Sequence, residues 1–206
     1  MVILFFSWLI ELDKQLLIFV NRWGEYISWM DAPMVFITQK HSWGLCFYLP
    51  LAIWLIARSM ISFKWNATRA FFLIFCGMFA FASGDYVSSG LLKPFFGRSR
   101  PCMDESIAPL LRMISTCDDG FSFTSTHATT AFSLAAFLSF SFREDKWLRY
   151  ILFANAILVS FSRLYLGVHY PGDLLIGAIV GLLVGYLAYW IVFLDGKTRF
   201  QRISKN

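Results

Sequence analysis

The sequence predicts an all-α membrane protein: a polytopic bundle of about five transmembrane helices preceded by an N-terminal interfacial helix. Three observations carry that prediction. Hydrophobic residues fill 58% of the 206 positions and charged residues only 15%, against about 25% charge in soluble domains. The mean hydropathy is +0.60. The apolar residues fall in runs near the length of about 20 that crosses a bilayer. One unit covering 1–206 is the natural domain count at this length.

Residues 2–22 place Ser7, Glu11, Lys14, Gln15 and Arg22 at helical spacing among apolar residues. That pattern predicts an amphipathic helix lying in the interface; a sixth span is the alternative. A basic n-region and a small-residue cleavage site are both missing, so the segment reads as part of the mature chain. The clear spans are 70–92, 147–167 and 174–194. The run 43–59, which holds Pro50, and the run 125–142, short and rich in Ser and Thr, are weaker spans. Gly177, Gly181 and Gly185 recur every four residues in the last span, a spacing that suits close helix–helix packing.

The net charge is +5, and the basic residues cluster in short connections. Arg58, Lys64 and Arg69 lie in one, and Arg143, Lys146 and Arg149 in another. Lys197, Arg199, Arg202 and Lys205 lie in the tail. With five spans all ten fall on one side, which the positive-inside rule makes cytoplasmic. This explains the charge without nucleic acid, for which no binding motif is present. The opposite, outer side receives the loop 93–124, with Asp104, Glu105, Asp118 and Asp119, and the junction 163–173.

Three polar stretches meet at that outer face: KPFFGRSRP (93–101), FTSTHA (123–128) and SRLYLGVHYPGD (162–173). They supply three cations, Lys93, Arg100 and Arg163. Ser125 stands where a helix begins, and a helix N-terminus favours an anion. His127 and His169 can move protons or attack, and Asp173 could fix the tautomer of His169. A lone Arg at a span end reads most simply as a topology anchor, and a lone His as a packed residue. Six such groups at one depth point instead to function, because ionisable groups in a membrane are costly. Cations on the phosphate oxygens, one His attacking phosphorus and another protonating the leaving oxygen would break a phosphate ester. Arg98 and Arg112 fit no such pattern and read as loop charges. Asp85 could pair with a site cation or bond a neighbouring helix.

These residues resemble the type 2 phosphatidic acid phosphatases (PAP2), whose helical core is shared with vanadium haloperoxidases and some soluble acid phosphatases. The family signature is K-x6-RP, PSGH and SR-x5-H-x3-D. Lys93 with Arg100-Pro101 matches the first part, and Ser162-Arg163, His169 and Asp173 match the third. The resemblance implies that Lys93, Arg100, Arg163, Ser125 and the backbone N–H groups around Ser125 hold the phosphate. His169 would be the nucleophile, forming a phosphohistidine, with Asp173 orienting it and His127 as general acid and then base. It implies no metal and no cofactor. The second part departs from the pattern, reading Thr124-Ser125-Thr126-His127. Thr126 adds a β-branched side chain where Gly allows closest approach, and Thr124 is a candidate N-cap. Chains that keep Ser and His but lose Gly, with RPC upstream, are similar to a bacterial subgroup that includes lipid A phosphatases.

Cys46 and Cys76 lie in apolar runs and read as buried thiols. Cys102 and Cys117 flank the outer loop. In an oxidising compartment they could pair and close a loop of about 15 residues.

The expected function is therefore hydrolysis of a lipid phosphate within the bilayer, at the outer (periplasmic) face of a bacterial inner membrane. Lipid A and undecaprenyl diphosphate are favoured. Phosphatidylglycerol phosphate and phosphatidic acid are alternatives, as are phosphoryl transfer to an alcohol and non-catalytic lipid or anion transport. Oligomeric state is open.

Overall fold

The computed structural model describes residues 2–39, 44–61, 67–117 and 119–194, and among these it contains helices and loops but no strand. Lys64, Asp118, Lys197, Arg199, Arg202 and Lys205 lie outside the described residues, as do the side chains of Arg58 and Arg69.

The first helix, α1, runs Val2–Trp23, and α2, Asp31–Thr38, follows. A π-helical turn, Gly44–Tyr48, leads into α3, Leu49–Ile61. Helix α4, Ala67–Asp85, continues through a π-helical stretch, Tyr86–Leu92, and a last turn, Lys93–Phe96. Helices α5 (Thr126–Ser141), α6 (Lys146–Tyr165) and α7 (Pro171–Leu194) complete the bundle.

Helix α5 is the centre, packed against α4, α6 and α7. Its two long sides are lined with small residues, and Ala128, Ala131, Ala135 and Ala136 are all buried. Against α7 the approach is backbone to backbone. A Cβ added at Gly181 would lie 2.4 Å from Thr129 O, and one at Gly185 would lie 2.2 Å from Ser133 O. The glycine repeat is thus the contact that the spacing predicts.

Among the described residues, two stretches, Phe71–Met103 and Pro171–Phe193, are long and apolar enough to cross a membrane. Helices α3 and α5, with 13 and 16 residues, fall short of about 20. Large apolar residues nonetheless cover the outward surface, among them Phe71, Phe75 and Phe79 on α4 and Leu183, Leu187 and Trp190 on α7. In water such a surface would be an aggregation patch; in a bilayer it is the solvated face.

The polar residues that mark the stripe of α1 face outward at Ser7, Glu11, Gln15 and Arg22, and a second, inward face carries polar groups as well. Asp13, Leu17 and Asn21, spaced by four, turn toward the protein, while Trp8, Ile10, Phe19 and Trp23 are exposed. The reason is local bonding. Asn21 is fully buried and donates from Nδ2 to Tyr165 O (2.9 Å) and Arg112 O (3.1 Å), while its Oδ1 accepts from Arg112 N (2.6 Å). Arg112, read from sequence as a loop charge, is part of this seam. Its guanidinium pairs with Asp31, which also accepts from Tyr165 OH at 2.6 Å. Cys46, expected to be buried, is exposed on the outside of its π turn, whereas Cys76 is buried.

Candidate active site

Two turns bring the predicted residues together. Gly97, at φ +58°, ends the last turn of α4 and donates to Lys93 O at 3.0 Å. A left-handed residue closes the helix there, as glycine does readily, and directs Arg98 to Arg100 back over the bundle. Gly167, at φ +73°, does the same after α6, so that the chain reverses and presents His169 before α7 begins.

His169 and Asp173 are both buried, at 1% and 0% exposure. Nδ1 of His169 lies 3.5 Å from Asp173 Oδ2 and 3.3 Å from Ser122 Oγ. Asp173 Oδ2 also accepts from Tyr170 N at 3.1 Å and from Ser122 Oγ. With Nδ1 turned to this cluster, Nε2 is the ring atom left to face a substrate. Burial pushes the His169 pKa down to about 4, and the Arg163 and Arg100 charges add to that against the opposing pull of Asp173. The imidazole is therefore neutral at pH 7, the form that has a lone pair to offer.

Arg100 and Arg163 are buried at 5% and 6% exposure, and their charges reach His169. Arg163 donates from Nη1 to Thr38 Oγ1 at 2.6 Å, and Arg100 from Nε to Gly120 O at 3.3 Å. His127 Nε2 lies 3.1 Å from Thr38 O. A carbonyl only accepts, so that nitrogen carries the proton. Thr38 thus touches both a predicted phosphate cation and the predicted acid. Lys93 sits half-buried at the start of the last turn of α4, one turn before the loop that carries Arg100.

Helix α5 begins one residue later than the sequence suggests. Its N-cap is Ser125, not Thr124. Thr124 is buried, with Oγ1 3.0 Å from Ser88 Oγ in the π stretch of α4. Thr126 Oγ1 lies 3.1 Å from the same hydroxyl. The two threonines that replace the signature's Pro and Gly are therefore joined through Ser88, which holds Thr126 against α4. Ser125 is fully buried and its Oγ has no hydrogen-bond partner. The N–H of Ser125 itself donates to Asp173 O at 3.2 Å. The first intrahelical bond is Thr129 N to Ser125 O. The first turn of any helix leaves its N–H groups outside the intrahelical bonding pattern, and α5 starts that turn at Thr126.

Arg98 is the clearest omission of the sequence reading, which left it as a loop charge. Its Nη1 pairs with Asp173 Oδ1 and its Nη2 with Asp13 Oδ2, both at 2.7 Å, and its guanidinium lies 3.8 Å above the Tyr170 ring. Asp13 Oδ1 in turn accepts from Gly172 N at 2.7 Å. Ser122 and Thr38 were also missed. The RxR spacing of Arg98 and Arg100 was the available signal for Arg98; a lone Ser or Thr carries none. Cys102 and Cys117 are joined in a disulfide that closes the loop directly after Arg100-Pro101. Asp85 accepts from Ser89 Oγ one turn on, at 3.2 Å to Oδ2.

Residues 71–197 match the model of the PAP2 superfamily. The chain belongs to that superfamily. The PAP2 match takes in every residue of the cluster except Thr38 and Asp13. A lipid A 4'-phosphatase of Bacteroides thetaiotaomicron is 35% identical over 187 residues, 90% of this chain and 79% of the relative. An undecaprenyl-diphosphatase of Bacillus subtilis, BcrC, is 27% identical over 82% of this chain and 79% of the relative. Among solved structures, a transmembrane PAP2-type phosphatidylglycerolphosphate phosphatase from Bacillus subtilis superposes with a TM-score of 0.64 at 23% identity, over 92% of this chain and 87% of that one. As a PAP2 member with this fold, the chain is a membrane-embedded helix bundle and a phosphoric ester hydrolase.

Proposed function

We propose that the chain hydrolyses the phosphate of a membrane lipid through a phosphohistidine, at the outer face of a bacterial inner membrane, with lipid A or undecaprenyl diphosphate as substrate. The observation that carries this is Ser125. A fully buried hydroxyl with no partner costs about 1–3 kcal/mol. A phosphate oxygen at the start of α5 would satisfy it, beside two buried arginines and a neutral imidazole.

In this reading Arg100, Arg163, Lys93 and the first N–H groups of α5 neutralise the phosphate oxygens. Nε2 of His169 attacks phosphorus, and the bond from phosphorus to the lipid oxygen breaks. His127 gives its proton to that oxygen. Then His127 takes a proton from water, the water oxygen attacks the phosphohistidine, and the P–N bond breaks to release phosphate. Both histidines return to their starting protonation. Asp173 and Ser122 keep the His169 ring oriented throughout. The lipid A 4'-phosphatase relative and the shared PAP2 match support lipid A first.

The test is phosphate release by purified protein from lipid A, undecaprenyl diphosphate, phosphatidylglycerol phosphate and phosphatidic acid, in detergent with EDTA. His169→Ala is assayed alongside. Release by the wild type alone supports the reading and names the lipid. Equal release by the variant, or none from any lipid, overturns it.

A further inference from the structure

We propose that Asp13 of α1 is a positioning residue for the hydrolysis: it holds the Arg98 side chain and the peptide N–H next to Asp173, and through them the ring of His169. This rests on the reading of His169 as nucleophile given above. Asp13 lies outside residues 71–197, the part of the chain that matches the PAP2 model. Leu9, Leu12, Leu175 and Ile176 line the same groove between α1 and α7. An ionisable group among such side chains is costly at a membrane and is kept where it has partners. Asp13 uses both oxygens. Oδ2 accepts from Arg98 Nη2 and Oδ1 from Gly172 N, each at 2.7 Å, and the side chain is only 14% exposed.

The two bonds converge on Asp173. Gly172 is the second residue of α7. The first turn of a helix leaves its N–H groups without intrahelical acceptors, and Asp13 supplies one from another helix. The peptide it holds leads directly into Asp173. A Cβ at Gly172 would lie 3.2 Å from Asp13 Oδ2, so a side chain there would press on the carboxylate. Arg98 carries the second bond. Its Nη1 pairs with Asp173 Oδ1 at 2.7 Å, and its guanidinium lies over the Tyr170 ring. A planar fork gripped on both nitrogens has one orientation; released from Asp13, it can turn about its long side chain. Asp173 Oδ2 meanwhile accepts from Tyr170 N and faces His169 Nδ1. A carboxylate fixed at both oxygens keeps the imidazole proton on Nδ1 and the lone pair on Nε2. Asp13 thus acts on the tautomer of the nucleophile through Arg98, Gly172 and Asp173.

A simpler role for Asp13 would be to dock α1. The next residue, Lys14, does dock it: Nζ pairs with Asp104 Oδ2 at 2.9 Å and donates to Ser106 Oγ at 2.7 Å. Those bonds end on the outer loop, whereas the bonds of Asp13 end on the partner of Asp173 and on the peptide beside it. Lys14→Met therefore loosens α1 while leaving the Asp13 contacts in place, and it separates docking from positioning.

The experiment compares Asp13→Ala, Asp13→Asn and Lys14→Met in the full chain. Each is assayed with a small soluble aryl phosphate, which needs no particular lipid. Each is also labelled with 15N-histidine and read by NMR in detergent. The chain has three histidines, and the His169→Ala variant assigns the signals of His169. In Asp13→Ala, kcat is expected to fall about tenfold or more, the loss typical of one hydrogen bond to a charged group, with KM changed less than threefold. Asp13→Asn keeps an oxygen for Gly172 N and should lose less. In both, part of the His169 signal should move from the Nδ1–H form to the Nε2–H form, which has no lone pair for attack. Lys14→Met should keep both kcat and tautomer. The double variant Asp13→Ala with Arg98→Ala should lose no more than Arg98→Ala alone, because the two act through one network. Unchanged kcat in Asp13→Ala, an unchanged His169 tautomer, or an equal loss in Lys14→Met overturns the proposal. If Asp13→Ala does not fold, Asp13→Asn, of the same size, decides by the same readings. The NMR reads the ring without turnover. A tautomer that responds to Asp13 in a protein that releases phosphate from no lipid would count against the lipid-phosphatase reading and not against the role of Asp13.

Discussion

Arg98 Nη1 lies 2.7 Å from Asp173 Oδ1, so the charge opposite this buried carboxylate comes from a residue that the family signature does not specify. Arg98 also reaches Asp13 of α1, and that pairing ties the first helix to the turn carrying His169. Asp173 has no exposed side-chain surface, whereas Arg98 is 28% exposed.

Removing the arginine leaves a buried carboxylate short of its partner. A fully buried pair broken this way costs about 3–5 kcal/mol, and water reaching Arg98 reduces that. Arg98→Ala is expected to lower kcat about 30-fold, equivalent to about 2 kcal/mol, with KM changed less than threefold. Arg98→Lys should recover part of the loss. Steady-state kinetics of both variants check this; a parallel fall in thermal stability with no change in kcat would contradict the positioning role.

The pH profile follows from His169, held at about 4 by burial against an ordinary value of about 6.5. In the proposed mechanism this imidazole attacks unprotonated, so kcat/KM should hold down to about pH 5 and fall only below it. Stability runs the same way. The unfolded chain binds a proton between about 6.5 and 4 that the folded chain does not, so stability falls as pH drops through that window and levels off below it. Asp173→Asn removes a group that raises the His169 pKa and should move the acid limb lower still. Kinetics in a constant-ionic-strength buffer series read both effects.

Gly181→Ala and Gly185→Ala should each destabilise the bundle. Either Cβ would meet a backbone carbonyl of α5 at less than 2.5 Å, and overpacking of this kind costs about 1–3 kcal/mol. The same helices carry Ser125 and Asp173, joined by Ser125 N–H to Asp173 O, so activity should fall with stability. Thermal melts in detergent, with Gly185→Leu as the harsher variant, provide the check.

The Cys102–Cys117 disulfide closes a separation of 15 residues, worth about 3 kcal/mol on the chain-entropy model. The double Cys→Ser variant should melt lower and bind substrate more weakly, because the bond braces the chain immediately after Arg100. Thiol titration of the unreduced wild type should count two free groups, Cys46 and Cys76.

Thr38→Val removes the hydroxyl that accepts from Arg163 at 2.6 Å while keeping the carbonyl that faces His127. KM for phosphate substrates should rise about fivefold to tenfold, a loss of about 1–1.5 kcal/mol typical of one hydrogen bond. Product inhibition by inorganic phosphate is the direct readout and should weaken in step.

The helices were legible because a chain surrounded by lipid must satisfy its backbone within each segment. Apolar length therefore marks α4 and α7, and the glycine spacing at 177, 181 and 185 marks the face on which α7 meets α5. The residues matching the signature were legible because phosphate chemistry needs particular types at particular spacings. The side of α1 that faces the protein was not. The outward stripe of Ser7, Glu11, Gln15 and Arg22 carries no sign that Asn21, on another face, bonds Arg112 and Tyr165.

By itself the sequence determined the class of the protein, a helical membrane bundle of the PAP2 superfamily, and marked the cations, the two histidines and the carboxylate that match its signature. Local composition and spacing carry those features, and neither depends on which distant segments touch. Only the tertiary structure decided that Arg98 belongs to Asp173 and Asp13, that Ser122 and Thr38 join the site, and that Ser88 holds both replacement threonines. Each of these is a contact across 36 or more residues. A hydrogen bond or ion pair of that kind requires only that two compatible groups meet, and a single Ser, Thr or Arg in sequence does not indicate where its partner will be.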